Sequence, residues 1–327
     1  MDNVTVTPES FDSLASYWLN PRYPLRWDCI FVLPPWLEVW WRESDSRAES
    51  YLCAVRQQET IIGIAPLLLE EEEAFFMGST DVCDYLDFIV SPGSEHVFFD
   101  ILLHDLRQKG VRRLDLKLVR LDSTVLTHLV DIARDRGYEV SCRVEDVSLE
   151  LDLPTTWEEY LEMLTAKQRH EIKRKLRRLE ETGEVNYRII EDSEAVPDAI
   201  DIFLRLFRES REDKKVFMTV QRESFFRSMA KAMAKARLLK SGILELDALP
   251  VAAIMYFDYN NAMYLYNSGY DPQYSSLSIG LISKVLCIKD SIERGRRKFD
   301  FLKGGEQYKY HLGGREVPLF NCQITFK

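Results

Sequence analysis

The heptapeptides GVRRLDL, residues 110–116, and GRRKFDF, residues 295–301, share one pattern without a gap. Each begins with a glycine, has cations at the second and third positions after it, and ends in an apolar-Asp-apolar triplet. A run with apolar residues at helical spacing precedes each glycine, so the pattern predicts helix, stop and strand. Both copies also follow a Tyr-Leu strand and a turn containing Pro92 or Pro272. Any αβ unit could match this by chance, but the shared order favours two related domains in tandem.

Strands and helices alternate around both copies. Two strands joined by a polar turn at Gln57–Glu59 precede the first copy, and strands over 238–246 and 250–259 precede the second. A helical section lies between, with one helix running from Thr155 toward Gly183 and two more over 196–211 and 221–235. The sequence predicts an α/β protein with a mixed sheet, divided into an N-terminal domain over 1–153 and a C-terminal domain over 154–327.

Length and composition agree with two globular domains. A chain of 327 residues exceeds the size at which one core usually keeps growing, and its 46% apolar residues are typical of globular proteins. The longest apolar run, Ile61–Leu69, is too short to cross a bilayer, and the start MDNVTVTPES lacks the features of a secretory signal. Six cysteines without a CxxC pair and five histidines without an HxxxH pair predict no metal site. We interpret the cysteines as buried thiols and expect a cytoplasmic location.

A strand, a turn of small residues and a helix start are predicted in YNSGYDPQYSSLSIGLISKVL, residues 266–286. Backbone amides at a helix start, aided by the helix dipole, bind anions such as phosphates. The hydroxyls of Ser275, Ser276 and Ser278 would add donors, and Gly280 would allow close approach of a ligand. An ordinary helix cap at Ser276 explains the same residues.

This arrangement resembles the GNAT superfamily of N-acetyltransferases, in which an Arg/Gln-x-x-Gly-x-Gly/Ala loop binds the pyrophosphate of coenzyme A. If Gly280 occupies the last position of this motif, Ser278 stands at the first glycine and Ser275 at the Arg/Gln position. Gly280 is then the one position of three that matches. The segments FDFLKGGEQYKYHLGG, residues 299–314, and EIKRKLRRLE, residues 171–180, further resemble a branch with two fused domains. That branch contains the CelD-like proteins of exopolysaccharide gene sets and the Fem-type aminoacyltransferases of peptidoglycan bridges.

The resemblance implies a site in KGGEQYKYHLGG, residues 303–314. Tyr308 would protonate the departing thiolate, or Tyr310 would do so if the register is shifted by two residues. Lys309 would stabilise the oxyanion, and Glu306 or Asp271 would accept the proton of the amine. Residues of the preceding turn would line the acceptor pocket: Tyr270, Asp271 and Tyr274. A solvated polar loop is the alternative interpretation.

The run Lys167–Arg178 holds seven Lys or Arg against one Glu, in a chain of net charge −10. A solvated amphipathic helix explains it, with its apolar stripe on Leu161, Leu164, Gln168, Ile172, Leu176 and Leu179. Nucleic-acid binding is a second interpretation, although the run lacks aromatic residues for stacking. An anion site is the third, in which Arg169 and Arg174, with His170 and Lys173, bind a phosphate of the acyl carrier.

These features predict an N-acyltransferase that moves an acyl group from acyl-CoA, such as acetyl-CoA, to a small-molecule or saccharide amine, with a role in exopolysaccharide or cell-envelope biosynthesis. The C-terminal domain would carry the site. The N-terminal copy reads SPGSEHVFFD at the corresponding turn, where Glu95 and Asp100 would repel a pyrophosphate, so we interpret it as degenerate. A Fem-like enzyme that uses aminoacyl-tRNA, and a non-catalytic module of a polysaccharide synthesis complex, are the alternatives.

Overall fold

The computed structural model describes residues 4–327 and divides into two compact units. The first contains residues 4–147 and 317–327, and the second contains residues 148–316. Residues 1–3, at the start of the predicted N-terminal domain, lie outside the described residues. The fold is mixed α/β, as the sequence predicts, because both units combine a sheet of parallel and antiparallel strands with helices.

The described part of the first unit is built from six helices or helical turns and from strands that lie among them along the chain. Its elements are β1 (Val4–Pro8), α1 (Phe11–Leu19), a 3₁₀ turn (Ile30–Val32), α2 (Pro34–Glu43), β2 (Glu49–Gln57), β3 (Thr60–Glu70), β4 (Glu73–Phe76), β5 (Ile89–Val90), α3 (Glu95–Gln108), β6 (Arg113–Arg120), a π turn (Val125–Leu129), α4 (Val130–Asp135) and most of β7 (Glu139–Asp152). The polar turn predicted at Gln57–Glu59 is confirmed, since β2 and β3 pair directly around it.

The second unit begins with the end of β7 and holds the longer helices. Its elements are α5 (Trp157–Met163), α6 (Ala166–Glu180), β8 (Val185–Ile190), α7 (Val196–Ser210), α8 (Glu212–Phe217), α9 (Val220–Lys235), β9 (Leu239–Leu246), β10 (Leu249–Tyr259), β11 (Ala262–Tyr270), a 3₁₀ turn (Pro272–Leu277), α10 (Ile279–Glu293), β12 (Lys298–Lys303), α11 (Gln307–His311) and the start of β13 (Arg315–Thr325). Both predicted boundaries of the strand pair β9–β10 agree within one residue.

The strand order confirms the tandem repeat. In the first unit it is β1-β2-β3-β4-β6-β13, and in the second it is β8-β9-β10-β11-β12-β7. Each series contains one parallel pair, β4 with β6 and β11 with β12, among antiparallel neighbours. The two matching heptapeptides occupy equivalent places, because Arg112 N donates to Glu72 O at 2.7 Å and Arg297 N donates to Asn261 O at 2.9 Å. The two units are therefore copies of one fold.

The last strand of each copy comes from the other half of the sequence. Residues 319–325 of β13 pair with β6 in the first unit, whereas residues 148–152 at the end of β7 pair with β12 in the second. The sequence assigns residues 317–327 to the C-terminal domain, but these hydrogen bonds place them with the first unit. The division into domains over 1–153 and 154–327 stays a prediction.

Two cysteines correct the interpretation of the thiols. Cys142 of β7 and Cys322 of β13 form a disulfide, with their Cα atoms 4.2 Å apart, because the two strands are neighbours in the first unit. The sequence could not reveal this pair, since 180 positions separate its members. The remaining cysteines, Cys29, Cys53, Cys83 and Cys287, are buried thiols outside any disulfide. The cytoplasmic location stays a prediction.

The helical section differs from the predicted one in two respects. The helix expected from Thr155 onward is broken at Leu164, and Thr165 starts α6 with a capping box in which its hydroxyl and Gln168 satisfy each other's backbone amides. Helices α7 and α9 pack on strands β9–β11 and so belong to the second copy of the fold. Helices α5 and α6 also belong to the second unit, because they contact α10.

A cluster of buried apolar residues in the second unit joins α6, β10 and α10, and includes Leu179, Val251 and Ile279. Within residues 4–327, every helix is too short or too polar to span a membrane. The same described residues contain no group of three His, Cys, Asp or Glu side chains suited to a metal ion. In the first unit, Asp100 near the start of α3 is paired with Arg136, which neutralises one of the two acids noted there.

Candidate functional site

Two strands of the second unit separate where the predicted site begins. The parallel pairing of β11 with β12 covers only Ala262–Tyr264 and Lys298–Asp300, after which each strand continues alone on that side. On its other side, β11 contains a bulge, because Met255 pairs with Asn267 whereas Tyr256 pairs with Leu265. A bulge re-aims the residues that follow it. The strand end around Ser268 therefore borders an opening in the sheet.

The turn after β11 leads to the start of α10. Asp271 caps the intervening 3₁₀ turn by accepting from Gln273 N at 2.9 Å, so its carboxylate has a structural role. Ser278 has a left-handed backbone, with φ of 57°, and begins α10 without a side-chain cap. Within the described chain, no hydrogen bond satisfies the backbone amides of Ile279 and Gly280. These two donors stand at the positive end of a helix of 15 residues, which suits an anion.

The residues predicted around this helix start fall into two groups. Ser275 and Ser276 are exposed and make no side-chain hydrogen bond within residues 4–327, so their hydroxyls are available. Tyr270 instead packs on Gly280, where an added Cβ atom would lie 2.8 Å from its ring. Tyr274 also packs against the buried cluster beside α6 and α10. Gly280 therefore accommodates an aromatic ring of the protein itself.

The turn after β12 is held by two buried charged side chains. Asp300 is 1% exposed and accepts from Leu302 N at 2.7 Å, and Leu302 has φ of +60°, a conformation that favours glycine. Lys309 is 2% exposed, and its Nζ donates to the carbonyls of Leu302, Lys303 and Gly304 at 3.0, 2.6 and 2.9 Å. These hydrogen bonds show that the Lys309 ammonium group stabilises the backbone of the turn. The role predicted for it, stabilising an oxyanion, stays a prediction.

Glu306 and Tyr308 flank this lysine on α11. One carboxylate oxygen of Glu306 lies 2.8 Å from Lys309 Nζ, and the side chain is otherwise exposed. Tyr308 is half-buried, and its hydroxyl has no hydrogen-bond partner within residues 4–327. Burial first, and the charge of Glu306 second, raise the pKa of Tyr308. The phenol therefore keeps its proton at neutral pH.

Tyr310, the alternative proton donor, is differently placed. Its hydroxyl donates to Glu316, and this hydrogen bond is the largest cause of the raised pKa of Tyr310. Because the carboxylate already receives its proton, Tyr310 is a poorer candidate than Tyr308. The backbone carbonyl of Tyr310 accepts from Gln168 Nε2 at 3.3 Å, which brings the start of α6 against α11.

A lysine that the sequence analysis did not identify connects these parts. Lys284 on α10 is 7% exposed, its Nζ donates to Gly280 O at 2.7 Å, and it lies 4.9 Å from the centre of the Tyr308 ring. Burial, and then the charge of Lys214, lower the pKa of Lys284 to about 7. Its position in the apolar run ISKVLCI, residues 282–288, was the available signal, because a lone lysine on the buried face of a helix needs an explanation.

A second lysine reaches the same opening from α8. The Nζ of Lys214 donates to Ser268 O and lies 4.7 Å from the centre of the Phe207 ring. Gly269 permits the close packing of α7 on β11 beside this lysine, since an added Cβ atom there would lie 2.3 Å from the backbone nitrogen of Phe207. Burial, and then the charge of Arg211, lower the pKa of Lys214 to about 8.

The basic helix α6 lies beside the turn and the start of α10. Its two predicted phosphate ligands are engaged elsewhere, because Arg169 donates to Leu161 O at 3.3 Å and Arg174 pairs with Glu171 at 2.9 Å. The exposed cations of α6 without a carboxylate partner in residues 4–327 are Lys167, His170, Lys173 and Arg178. The structure thus brings together Gly280, Glu306, Tyr308 and Lys309, and leaves Arg169 and Arg174 outside this group.

Comparisons with known proteins agree with this architecture. Residues 166–310 match the family model described as acetyltransferase (GNAT) domain. The solved structure of FemX is similar, with a TM-score of 0.67 and 11% identity over 97% of this chain and 96% of that chain. L-PGS from Bacillus licheniformis has a TM-score of 0.51 and 11% identity over 89% and 90% of the two chains. No curated protein matches the chain.

A tandem GNAT protein from the clavulanic acid biosynthesis pathway is also similar, with a TM-score of 0.50 and 13% identity over 99% of both chains. These likenesses, together with the repeated strand order, show a tandem GNAT fold. The resemblance to the GNAT superfamily that the sequence predicts is confirmed.

Proposed function

We propose that the second unit is an N-acyltransferase that moves an activated acyl group to a small-molecule or saccharide amine. One observation carries the proposal: a protonated tyrosine with a free hydroxyl, Tyr308, lies beside the open start of α10, and Lys284 contacts both. Acyl transfer to an amine needs a site for the donor and a proton for the leaving group, and the two features supply these.

The residues at the helix start fit the anionic part of acyl-CoA. The amides of Ile279 and Gly280 have no partner in the described chain, and the hydroxyls of Ser275 and Ser276 are exposed next to them. Acyl-CoA, when bound, supplies the acyl group as a thioester that an amine can attack. Ser278 stands half-buried between these groups and sets the backbone turn that exposes the amides.

The side chains around Tyr308 would handle the protons. The hydroxyl of Tyr308 gives its proton to the atom that leaves the acyl carbon as the new carbon–nitrogen bond forms. The cation of Lys284 near the ring favours the phenolate that this transfer creates, and so offsets the effect of burial. Glu306, with one oxygen on Lys309 and an exposed carboxylate, accepts the proton that the amine loses, directly or through water.

A charged tRNA is the second candidate donor. It is favoured by the exposed cations of α6, which lie on a helix that contacts both the turn after β11 and α10. Cations on one helix can contact several phosphates of a nucleic acid. The likeness to FemX is consistent with a Fem-like reaction of this kind, and the same proton transfers by Tyr308 and Glu306 would serve it.

A transfer assay tests the proposal and separates the donors. The purified chain would be incubated with a panel of amines, including glucosamine and alanine, and with either acetyl-CoA or alanyl-tRNA, and products would be detected by mass spectrometry. We expect amide product with one donor and its loss in Tyr308→Phe. Absence of product with both donors, together with failure of either donor to bind, would favour a non-catalytic role instead.

A further inference from the structure

The charges around Tyr308 do not balance. Among the described residues, two cations and two carboxylates act on the neighbouring Lys214 and Lys284, and they pair with each other: Lys309 with Glu306 at 2.8 Å, and Arg211 with Asp213 at 2.8 Å. Lys214 and Lys284 are left over. Within residues 4–327, neither has a carboxylate partner, and their ammonium groups donate only to backbone carbonyls, those of Ser268 and Gly280.

Unpaired cations in a buried place are costly, because the loss of hydration is not repaid by an opposite charge. Lys284 is 7% exposed and Lys214 is half-buried. Accordingly, burial is the largest cause that lowers the pKa of each. Proteins tolerate such an arrangement where a ligand supplies the missing charge, so the pair identifies a place for an anion next to the proton donor.

We infer that this place binds a carboxylate of one substrate, at the ammonium groups of Lys214 and Lys284 and near the Tyr308 ring. Two ammonium groups can donate charge-assisted hydrogen bonds to the two oxygens of a carboxylate. The open amides at the start of α10 are a separate set of donors, which leaves the lysines for a second anion. The inference rests on the proposed function and names a substrate class for it: an amine acceptor or an acyl group that carries a carboxylate.

Binding would depend on pH. The anion requires protonated lysines, so it raises their pKa values and takes up protons, and its affinity falls as the pH rises from about 7 to 9. The charged and titratable groups that surround the two lysines are Arg211, Asp213, Cys287, Glu306, Tyr308 and Lys309. The cysteine and tyrosine keep their protons over this range, because burial raises the pKa of both. The lysines therefore dominate the expected change.

Matched probes test the inference and identify which substrate carries the carboxylate. Succinyl-CoA would be compared with butyryl-CoA, and alanine with alaninamide, by calorimetry and by the shift in melting temperature. In the wild type we expect the carboxylate member of one pair to bind at least about tenfold more tightly than its uncharged match. In Lys284→Met and Lys214→Met that preference should fall to about one.

The control is Lys289→Met, on the same helix as Lys284 but half-exposed and paired with Glu293, and it should keep the preference. Circular dichroism would establish that each variant is folded. Because Lys214 and Lys284 lie on different helices, one variant can still test the inference if the other misfolds. Equal binding within both probe pairs in the wild type, or a preference that survives in both variants, would overturn the inference.

The outcome is separable from that of the transfer assay. Turnover that depends on Tyr308 without any carboxylate preference would contradict the carboxylate site and support the proposed acyltransferase function. Carboxylate binding that depends on the two lysines without turnover would support the carboxylate site and contradict the proposed acyltransferase function.

Discussion

The ammonium group of Lys284 lies 4.9 Å from the centre of the Tyr308 ring, and the same group donates to the carbonyl of Gly280. One side chain therefore links the start of α10, where an anionic donor would bind, to the tyrosine that would release a proton. A cation at this distance stabilises the electron-rich ring face and, more strongly, a phenolate. The protonation state of Lys284 should consequently affect both binding and catalysis.

Replacement of Tyr308 by Phe should lower kcat by about 10²–10⁴, because it removes the proton donor, while the Kd of the donor stays nearly unchanged. The measurement is steady-state transfer together with calorimetric titration of the donor. Tyr310→Phe is the matched control, since its hydroxyl is bound to Glu316, and it should retain most activity. The opposite result, loss in Tyr310→Phe and activity in Tyr308→Phe, would reverse the assignment.

The stability of the wild type should rise with pH more than that of Lys284→Met. Burial lowers the pKa of Lys284 from 10.5 to about 7, so the unfolded state binds more protons between these values. The cost of the buried charge is complete below pH 7 and decreases above it. Between pH 7 and 9 the wild type should gain about 2–3 kcal/mol relative to the variant.

Urea denaturation at several pH values measures this difference. Lys289→Met, whose parent lysine is half-exposed on the same helix and paired with Glu293, should follow the wild type at every pH. If the wild type and Lys284→Met show the same dependence, Lys284 is not charged within the folded protein in the way described.

Lys309→Met should destabilise the second unit by about 3 kcal/mol. The substitution removes the donor from three carbonyls and from Glu306, and it leaves buried acceptors unsatisfied near a leucine of positive φ. The urea midpoint measures the loss. Lys309→Arg should not restore stability, because a planar guanidinium cannot occupy the position of a compact ammonium group. A stable Lys309→Met variant without activity would instead support a direct role in the reaction.

Charge reversal on α6 tests the tRNA donor. The double variant Lys167→Glu, Lys173→Glu should weaken tRNA binding at least about tenfold. The slope of log K against log salt concentration should become less steep by about two, because about two phosphate contacts are lost. Acetyl-CoA binding should not change. The control reverses Lys231 and Lys235, exposed cations near the end of α9. Equal tRNA binding by both double variants would exclude α6 as the contact surface.

Much of the fold was predictable because local patterns determine it. The glycines at 110 and 295 end helices with positive φ values of 84° and 70°, and the strands that follow begin where the heptapeptides indicate. The break between α5 and α6 was missed, since the apolar stripe continues through Leu164 while Thr165 forms a capping box. The pairing of β13 with β6 depends on contacts between distant segments, which periodicity does not report.

The site was predictable only where its residues are close together in the sequence. Glu306, Tyr308 and Lys309 are close in sequence, so one segment indicated all three, although the contact of Lys309 with three carbonyls required the backbone turn to be known. Lys214 and Lys284 come from helices about 70 positions apart, and only the folded chain brings them to the same opening. The roles of these five residues remain predictions for the experiments above.

The placement of β13 affects how the protein can be synthesised and dissected. A nascent chain that has emerged as far as β7 lacks the strand that pairs with β6, and this strand is supplied only after the whole second unit has been synthesised. The first unit would thus wait until residues 317–327 have been synthesised, and a truncated gene ending before Val317 would leave a sheet edge exposed to aggregation. Expression of the second half alone would need residues 148–152 attached, because β12 pairs with them.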